Sequence, residues 1–393
     1  MSSKIENTHA SWILAIDASN ISSGGGLTHL VQLLSVAIPI NSNIKRVLIW
    51  TSKGTAERLP RREWLEIHTP AWCSASLVRR LIWQQFMLPA VLKSAACDVL
   101  FSPGGTLPAR CPITTVGMSQ NMLPFEPKRS ALFGRWSWMR LKMYLLRFSQ
   151  AQSLCHAQGV IFLTKYARDT VMEVTGECAT MTTVIPHGIE SRFLIQPRLQ
   201  RSFRTFSKQA FQLLYVSIKM PYKHHLEVME AVAKLRGQGF DLVLHMIGGN
   251  ASRYGEAVRS KRLELDPDEE FIQDLGYVDF KSLHEFYRLA DSFIFASSCE
   301  NLPNILIEAM AAGLPIACAQ RGPMPEVLGD AGVYFDPESP ASIAQAIVRL
   351  ANDPELRAKL AQRAWQRSQG YSWERCARET FDFIDLVNRQ NAR

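Results

Sequence analysis

Short apolar runs alternate with helical segments along most of this 393-residue chain. Runs of three to six residues suit strands that are buried on both faces, and strands separated by helices form parallel sheets. The sequence therefore predicts an α/β chain with Rossmann-like parallel sheets. Because the length exceeds that of a usual single core, two such domains are expected. The runs lie at residues 12–17, 47–50, 98–102, 113–117, 160–163, 183–185, 213–217 and 293–296.

The boundary between the two predicted domains lies near residue 200. Residues 191–210 contain Pro197 with scattered arginines and serines, a composition typical of a linker. We therefore assign residues 1–190 to an N-terminal domain and residues 211–371 to a C-terminal domain. Residues 372–393 are predicted to form a C-terminal helix.

Composition argues against several classes of protein. The first ten residues contain no apolar signal-peptide core, and no run of eighteen uncharged apolar residues occurs. The eight cysteines form no Cys-x-x-Cys pair and no histidine spacing typical of a zinc site. We expect reduced cysteines in a cytoplasmic protein, with no metal and no cofactor.

Positive charge is concentrated in the first half of the chain. Residues 1–200 contain 21 Lys and Arg against 11 Asp and Glu, whereas residues 201–393 contain 23 against 25. This asymmetry indicates an anionic partner, either nucleic acid or a membrane surface. Because no base-stacking or groove-reading motif is present, we do not expect nucleic acid.

One segment, residues 127–158, carries basic residues among tryptophans and other apolar side chains. Such a helix could lie at a membrane interface, but packing against a neighbouring helix would explain the pattern equally well. Its basic residues include Arg129, Arg135, Arg140, Lys142 and Arg147.

A strand, a turn and a helix follow one another between residues 291 and 313. We expect Asn301 to cap the helix and Pro303 to lie in its first turn. Glu300 is then at the exit of the strand, and Glu308 lies roughly 10 Å along the helix axis from its start. Free N–H groups at a helix start bind anions, so a diphosphate could lie between the two carboxylates. The alternative is a loop acid and a solvated helix residue.

The run Glu300-Asn-Leu-Pro-Asn-Ile-Leu-Ile-Glu308-Ala-Met-Ala-Ala-Gly313-Leu-Pro resembles the retaining glycosyltransferases of the GT-B fold, and more narrowly their large fourth family. The resemblance implies two Rossmann-like domains that face a central cleft, an acceptor-side N-terminal domain, and a C-terminal domain that binds a nucleotide sugar. It implies that Glu300 lies close to the transferred sugar and that Glu308 holds the ribose. In this fold the C-terminal helix often packs back towards the first domain. Asn301, Leu302 and Asn304, at the start of the helix, join the expected donor site.

Further donor-site residues follow from the same resemblance. Most relatives carry an arginine five residues before a lysine that contacts the donor diphosphate. Here Lys223 matches the lysine, Ile218 occupies the arginine position, and Lys219 is displaced by one residue. A diphosphate leaving group needs cations, so Lys223 is the candidate catalytic cation and Lys219 a partial substitute. The remaining donor-site candidates are Gly24, Gly25, Gly26, Gly248, Tyr277 and Val278.

Two loops of the first domain are candidates for the cleft because each follows a predicted strand. They contain Ser102 and the pair Gln120 and Asn121. Many relatives carry a His-Asp pair near the second loop, and its histidine lies close to the sugar. Gln120 and Asn121 replace it here, so a catalytic histidine is not expected at that place.

The sequence therefore predicts a retaining transferase that moves a mannose-like or glucose-like hexose from a nucleotide diphosphate sugar. The expected acceptor is a glycan or a polyprenyl-diphosphate-linked oligosaccharide, as in O-antigen assembly on the cytoplasmic face of a membrane. A nucleotide-sugar 2-epimerase on the same scaffold is the alternative. A nicotinamide dehydrogenase fits less well because the glycine spacing differs from Gly-x-Gly-x-x-Gly.

Overall fold

The computed structural model describes residues 11–134, 137–176, 181–200, 210–250 and 253–391. Arg135, the first ten residues, residues 201–209 of the predicted linker and the last two residues of the predicted C-terminal helix lie outside these ranges. The chain forms two units, which are described separately. The first contains residues 1–121, 144–188 and 373–393, and the second contains residues 122–143 and 189–372.

The first unit is built on a seven-stranded sheet in which every strand pair is parallel, in the order β3-β2-β1-β4-β5-β6-β7. Its strands are β1 Trp12–Asp17, β2 Ile44–Trp50, β3 Leu65–His68, β4 Val99–Ser102, β5 Thr114–Met118, β6 Gly159–Phe162 and β7 Met181–Val184.

Helices connect these strands. They are α1 Gly24–Val36, α2 Lys53–Ala56, α3 Leu77–Ile82, α4 Leu88–Ser94, α5 Pro127–Ser130, α6 Trp138–His156 and α7 Lys165–Thr175, with a π-helical turn at Trp83–Met87. Short 3₁₀ turns lie at Pro39–Ser42, Ala71–Ser74 and Ala131–Phe133.

The second unit contains a six-stranded parallel sheet in the order β10-β9-β8-β11-β12-β13. Its strands are β8 Phe211–Val216, β9 Leu242–Ile247, β10 Ile272–Gly276, β11 Ser292–Phe295, β12 Ile316–Ala319 and β13 Val333–Phe335. The two parallel sheets confirm the predicted α/β fold with Rossmann-like domains.

The helices that follow are α8 His225–Gly237, α9 Arg253–Leu265, α10 Leu283–Leu289, α11 Asn304–Ala311, α12 Met324–Leu328, α13 Pro340–Asn352, α14 Pro354–Ser368 and α15 Trp373–Asn391. Two further 3₁₀ turns lie at Ser191–Phe193 and Pro221–Lys223.

Helix α15 belongs to the first unit although it comes last in the chain. Trp12 Nε1 donates a hydrogen bond to Asp385 Oδ1 at 3.0 Å, and Ser42 Oγ donates to Asp382 Oδ1 at 2.9 Å. A Cβ added at Gly159 would lie 2.7 Å from Val387 Cγ2, so β6 and α15 are in direct contact. Helix α15 therefore completes the packing of this sheet.

The segment 122–143 belongs to the second unit, whereas the sequence assigned it to a continuous domain of residues 1–190. Arg129 forms an ion pair with Glu338, and the Phe133 ring lies 6.2 Å from that of Tyr222. These contacts join residues more than 80 positions apart, which local sequence patterns do not reveal.

Candidate functional site

Strands β8 and β11 are neighbours in the second sheet, although they are the first and fourth strands of that sheet along the chain. Their carboxyl ends therefore open into loops that lie side by side, at the point where the strand order reverses. In open parallel sheets this point is where ligands bind. The loop after β8 carries Lys223, the loop after β11 carries Glu300, and the Lys223 ammonium contacts the Glu300 carboxylate.

The Lys223 ammonium lies in a largely apolar surrounding. Its side chain is 7% exposed, and that of Glu300 is 17% exposed. Lys223 Nζ lies 5.4 Å from the ring centroid of Tyr222 and 5.8 Å from that of Phe295. Because few waters reach it, this cation acts on a neighbouring charge more strongly than an exposed lysine would.

Hydrogen bonds between the same two loops hold the Lys223 backbone in place. His224 adopts a left-handed conformation with φ of 51°, and its Nε2 lies 2.8 Å from Ser298 Oγ. The Ser298 N–H donates to the Tyr222 carbonyl at 2.8 Å, and the Tyr215 hydroxyl donates to the Lys223 carbonyl. Lys223 and Glu300 are therefore brought together by a fixed loop pair.

Lys219 has a different set of partners. Its ammonium is 2.7 Å from Asp274 Oδ1 and donates to the Gly248 carbonyl at 3.2 Å, while the side chain is almost fully buried. These contacts join the loop after β8 to the ends of β9 and β10. The Asp274 carboxylate balances part of the positive charge of Lys219. Ile218, beside it, is 47% exposed.

His225 is a site residue that sequence reasoning missed. Burial, together with the charges of Lys219 and Lys223, lowers the pKa of His225 to about 3. The neutral imidazole packs on the Tyr215 ring at 4.8 Å between centroids. It adds no third positive charge next to the two lysines. The only sequence signal was its position two residues after Lys223.

Glu308 lies in α11 and is buried. The Tyr287 hydroxyl donates to its Oε2 at 2.9 Å. The pKa of Glu308 is raised to about 8, mainly by burial and also by the Glu190 carboxylate, while the Tyr287 hydrogen bond and the Arg192 guanidinium oppose the shift. At neutral pH this side chain is mostly a carboxylic acid, which can donate as well as accept a hydrogen bond.

The start of α11 differs from the prediction. The helix begins at Asn304 and is preceded by Pro303, so Asn301 lies three residues before the helix and does not cap it. Asn301 and Leu302 are buried within the turn, and the Asn304 N–H donates to the Leu302 carbonyl at 2.9 Å. The proline fixes its own backbone angle and shortens the helix at this end.

Gly248 follows β9 at a position that only glycine can occupy. Its φ is 148°, and a Cβ there would lie 1.8 Å from the Ser217 carbonyl oxygen. The loop after β10 begins at Gly276, which has φ of 63°, and continues into Tyr277 and Val278. Tyr277 is 80% exposed, so its ring is free to stack on a ligand.

The first unit has its own group of predicted site residues. Gly24 has φ of 66° and starts α1, followed by Gly25 and Gly26. A Cβ at Gly26 would lie 3.0 Å from Gln120 Oε1, so the glycine run and the loop after β5 are in contact. Asn121, next to Gln120, is exposed.

A buried histidine of α1 contacts Gln120. His29, in α1, has its Nδ1 3.2 Å from Gln120 Nε2, and its ring stacks on that of His187 at 4.6 Å. Burial, and secondarily the proximity of His187, lowers the pKa of His29 well below its usual range, so it is neutral. The structure therefore brings a histidine to the Gln120 loop from another element, which the sequence comparison with relatives did not suggest.

Ser102, at the end of β4, is buried, and its hydroxyl donates to the Thr106 carbonyl at 2.7 Å. Gln84 links this turn to β1 by donating to the Thr106 carbonyl at 3.1 Å and to Asp17 Oδ2 at 2.5 Å. Burial raises the pKa of Asp17. These contacts give Ser102 a structural part in shaping the loop.

Cys299, next to Glu300, is buried. Burial, followed by the Glu126 and Glu300 carboxylates, raises the pKa of its thiol well above the usual range. The thiol form is not a nucleophile, so the geometry fits a packed residue.

Within the described residues, no group of three or more histidine, cysteine, aspartate and glutamate side chains is arranged to hold a metal ion. None of the helices in the same ranges combines the length and the apolar character that a membrane crossing requires.

Residues 198–367 match the family of glycosyl transferases group 1, so the second unit carries a domain of that family. The chain is 26% identical over 231 residues to O-antigen chain mannosyltransferase B of Escherichia coli, a match that covers 58% of each protein.

Solved structures show the same GT-B fold. Sucrose-phosphate synthase of Thermosynechococcus elongatus aligns with a TM-score of 0.73 and 16% identity, over 97% of this chain and 99% of that one. The Anabaena protein HepE, in complex with UDP and glucose, aligns with a TM-score of 0.66 and 16% identity, over 97% and 98%.

Proposed function

We propose that this chain, which carries a group 1 glycosyl transferase domain on a GT-B fold, is a retaining glycosyltransferase that uses a nucleotide diphosphate sugar. The observation that carries the proposal is the buried contact of Lys223 with Glu300 at the reversal of strand order between β8 and β11. A cation at this edge can bind the diphosphate, and a carboxylate beside it can bind sugar hydroxyls.

In the proposed reaction the bond between sugar C1 and the diphosphate oxygen breaks, and the acceptor hydroxyl oxygen bonds to C1 on the same face. The leaving diphosphate takes the electron pair, and the proton of the acceptor hydroxyl passes to a phosphate oxygen. Lys223 stabilises the charge that develops on the diphosphate. Glu300 orients the sugar hydroxyls, and Glu308 binds the ribose hydroxyls. The proposed chemistry uses no metal and no covalent sugar–enzyme intermediate.

Two similar proteins support the proposed donor and acceptor. The Escherichia coli relative is an O-antigen chain mannosyltransferase, and the structure of HepE contains UDP and glucose. We propose a mannose-like or glucose-like donor and a glycan or polyprenyl-diphosphate-linked acceptor of surface-polysaccharide assembly. Lys219, Gly248, Tyr277 and Val278 lie just after the carboxyl ends of β8, β9 and β10 and are the proposed contacts for the rest of the nucleotide.

The first experiment is a thermal-shift screen of the full chain against UDP- and GDP-sugars, followed by transfer assays with the best donor. Lys223→Ala should lower kcat, and Glu308→Ala should mainly raise the donor KM. Lys234→Ala and Glu285→Gln, at exposed positions of the same unit, are the matched controls. Wild-type turnover by Lys223→Ala would reject its role. Epimerised sugar formed from the donor alone, without transfer, would reject the transferase.

We further propose a peripheral position on the cytoplasmic face of a membrane. The excess of basic residues in the first 200 positions supports an anionic surface as partner. Arg140 and Lys142 are exposed on α6. Their replacement by glutamate should abolish sedimentation with anionic liposomes, and undiminished sedimentation would reject the proposal.

A further inference from the structure

Helix α3 and the π-helical turn that follows it are unusual because most of their apolar side chains are exposed, Trp83 being buried. None of the residues of α3 is buried. Val78 is 65% exposed and Phe86 is 77% exposed, and Leu77, Leu81 and Ile82 are also exposed. An exposed apolar patch of this kind is typical of a surface that contacts a protein, a membrane or a ligand.

The second half of α6, which belongs to the same unit, presents a similar set of side chains. Tyr144 is 70% exposed, Phe148 is 64% exposed and Leu145 is 55% exposed. A cavity of about 660 Å³ lies between this helix and α3, with Leu81 on one wall and Phe148 on the other. The two exposed apolar surfaces therefore meet at a common opening.

Three polar side chains in the cavity wall, those of Gln85, Ser153 and Gln158, already form hydrogen bonds within the protein. Gln85 donates to the Leu107 carbonyl at 3.1 Å and accepts from the Ala109 N–H at 2.9 Å. Ser153 accepts from the Leu107 N–H at 3.0 Å, and Gln158 accepts from the Thr115 N–H at 2.8 Å. With these groups satisfied by the protein, the wall offers mainly apolar surface to a ligand.

Charge around the opening is of one sign. Residues 77–94, 103–113 and 138–156 contain arginines and lysines but no aspartate or glutamate. Arg110 lines the cavity and is exposed, while Arg79 is exposed on α3 and Arg147 is half-buried on α6, the two helices that flank it. Guanidinium groups bind phosphate well, so a phosphate at the opening with a hydrocarbon chain below it matches both the charge and the apolar wall.

We propose that the cavity between α3 and α6 binds one acyl chain of an anionic membrane phospholipid, whose phosphate lies against the arginines at its opening. The exposed apolar side chains of α3 and α6 would enter the bilayer, and the bound acyl chain would belong to a lipid of that bilayer. This arrangement favours a bulk phospholipid over a soluble amphiphile. This proposal rests on the membrane association proposed above and is independent of the transferase chemistry.

The test uses the full chain bound to vesicles of phosphatidylcholine and phosphatidylglycerol, with a photoactivatable group at the end of the phosphatidylglycerol acyl chain. Crosslinked residues are mapped by mass spectrometry. We expect labels within residues 107–115 and 148–158. Ala109→Trp, which fills the cavity, should lower this labelling at least fivefold. Ala257→Trp, at an exposed position of α9, should leave it unchanged.

Labels confined to residues 77–86, with equal labelling in Ala109→Trp, would overturn the proposal in favour of adsorption at the surface. Labelling of the cavity by a polyprenyl phosphate probe alone would also overturn it and would assign the cavity to the acceptor. Thermal unfolding checks that Ala109→Trp is folded, and Ser149→Trp is the second cavity-filling variant. Vesicle sedimentation and sugar transfer are measured on the same samples. Normal sedimentation and transfer without labelling of the cavity would reject the acyl-chain site alone, whereas loss of transfer would bear on the proposed function.

Discussion

The ammonium of Lys223 contacts the carboxylate of Glu300, which is 77 positions away in sequence, because the two residues lie on loops that leave neighbouring strands. Both side chains are largely removed from water. Each ion therefore depends on the other, because a buried charge without a partner is costly. This dependence can be measured separately from catalysis.

Lys223→Met should lower the free energy of unfolding of the second unit by about 3 kcal/mol, since it leaves Glu300 without its cation. The double variant Lys223→Met/Glu300→Gln should lose less than the sum of the two single variants. Chemical denaturation with a probe in the second unit measures both. Lys261→Met is the control: it removes a more solvent-exposed pair, in which Lys261 Nζ lies 2.9 Å from Glu264 and the two side chains are 25% and 65% exposed, so it should lower stability far less than Lys223→Met does. Additive losses would contradict a coupled pair.

Glu308 should make the stability of the protein depend on pH. Its pKa is raised from 4.5 to about 8 in the folded chain, so the folded state holds a proton that the unfolded state releases. Stability should therefore fall as pH rises from about 4.5 to about 8. Glu308→Gln cannot ionise and should be more stable than wild type at pH 9, by on the order of 3 kcal/mol, but not at pH 4.

Melting temperatures across this pH range would show the crossover. Glu285→Gln, at an exposed position of α10, should follow the wild-type profile. Parallel profiles for wild type and Glu308→Gln would show that Glu308 is ionised at neutral pH.

Gly248 should not tolerate any side chain. Its φ of 148° is unfavourable for other residues, and a Cβ would overlap the Ser217 carbonyl oxygen. We expect Gly248→Ala to destabilise the second unit by about 3 kcal/mol or more, from backbone strain and displacement of the loop after β8. Gly249→Ala is a matched control because nothing lies within 4 Å of a Cβ there. Equal melting temperatures for the two variants would refute this account of the loop.

The contact between β6 and α15 predicts a compensating pair of substitutions. A Cβ at Gly159 would meet Val387 Cγ2 at 2.7 Å, so Gly159→Ala should destabilise the first unit by about 2 kcal/mol. Val387→Ala removes the opposing methyl groups and should recover part of that loss in the double variant. Thermal unfolding of the four proteins forms a complete cycle. Independent effects would mean that α15 does not pack on Gly159 in solution.

The kind of fold could be predicted from the amino-acid sequence, which also indicated most of the candidate donor residues. Apolar runs spaced by helices leave a chain few alternatives to parallel sheets, because strands buried on both faces need helices to cover them. Glu300, Glu308 and Lys223 were identified from local spacing and family resemblance, and the structure sets Lys223 against Glu300.

The pairing of these residues, by contrast, depends on how distant parts of the chain pack together. Which strands lie side by side depends on packing across the whole sheet, so the neighbouring positions of β8 and β11 could not be read from either segment alone. The same holds for the contact of Lys219 with Asp274 and for the histidine that α1 brings to Gln120. The protonation of Glu308 also depends on tertiary burial, because removal from water, rather than its place in the motif, is the main cause of its raised pKa.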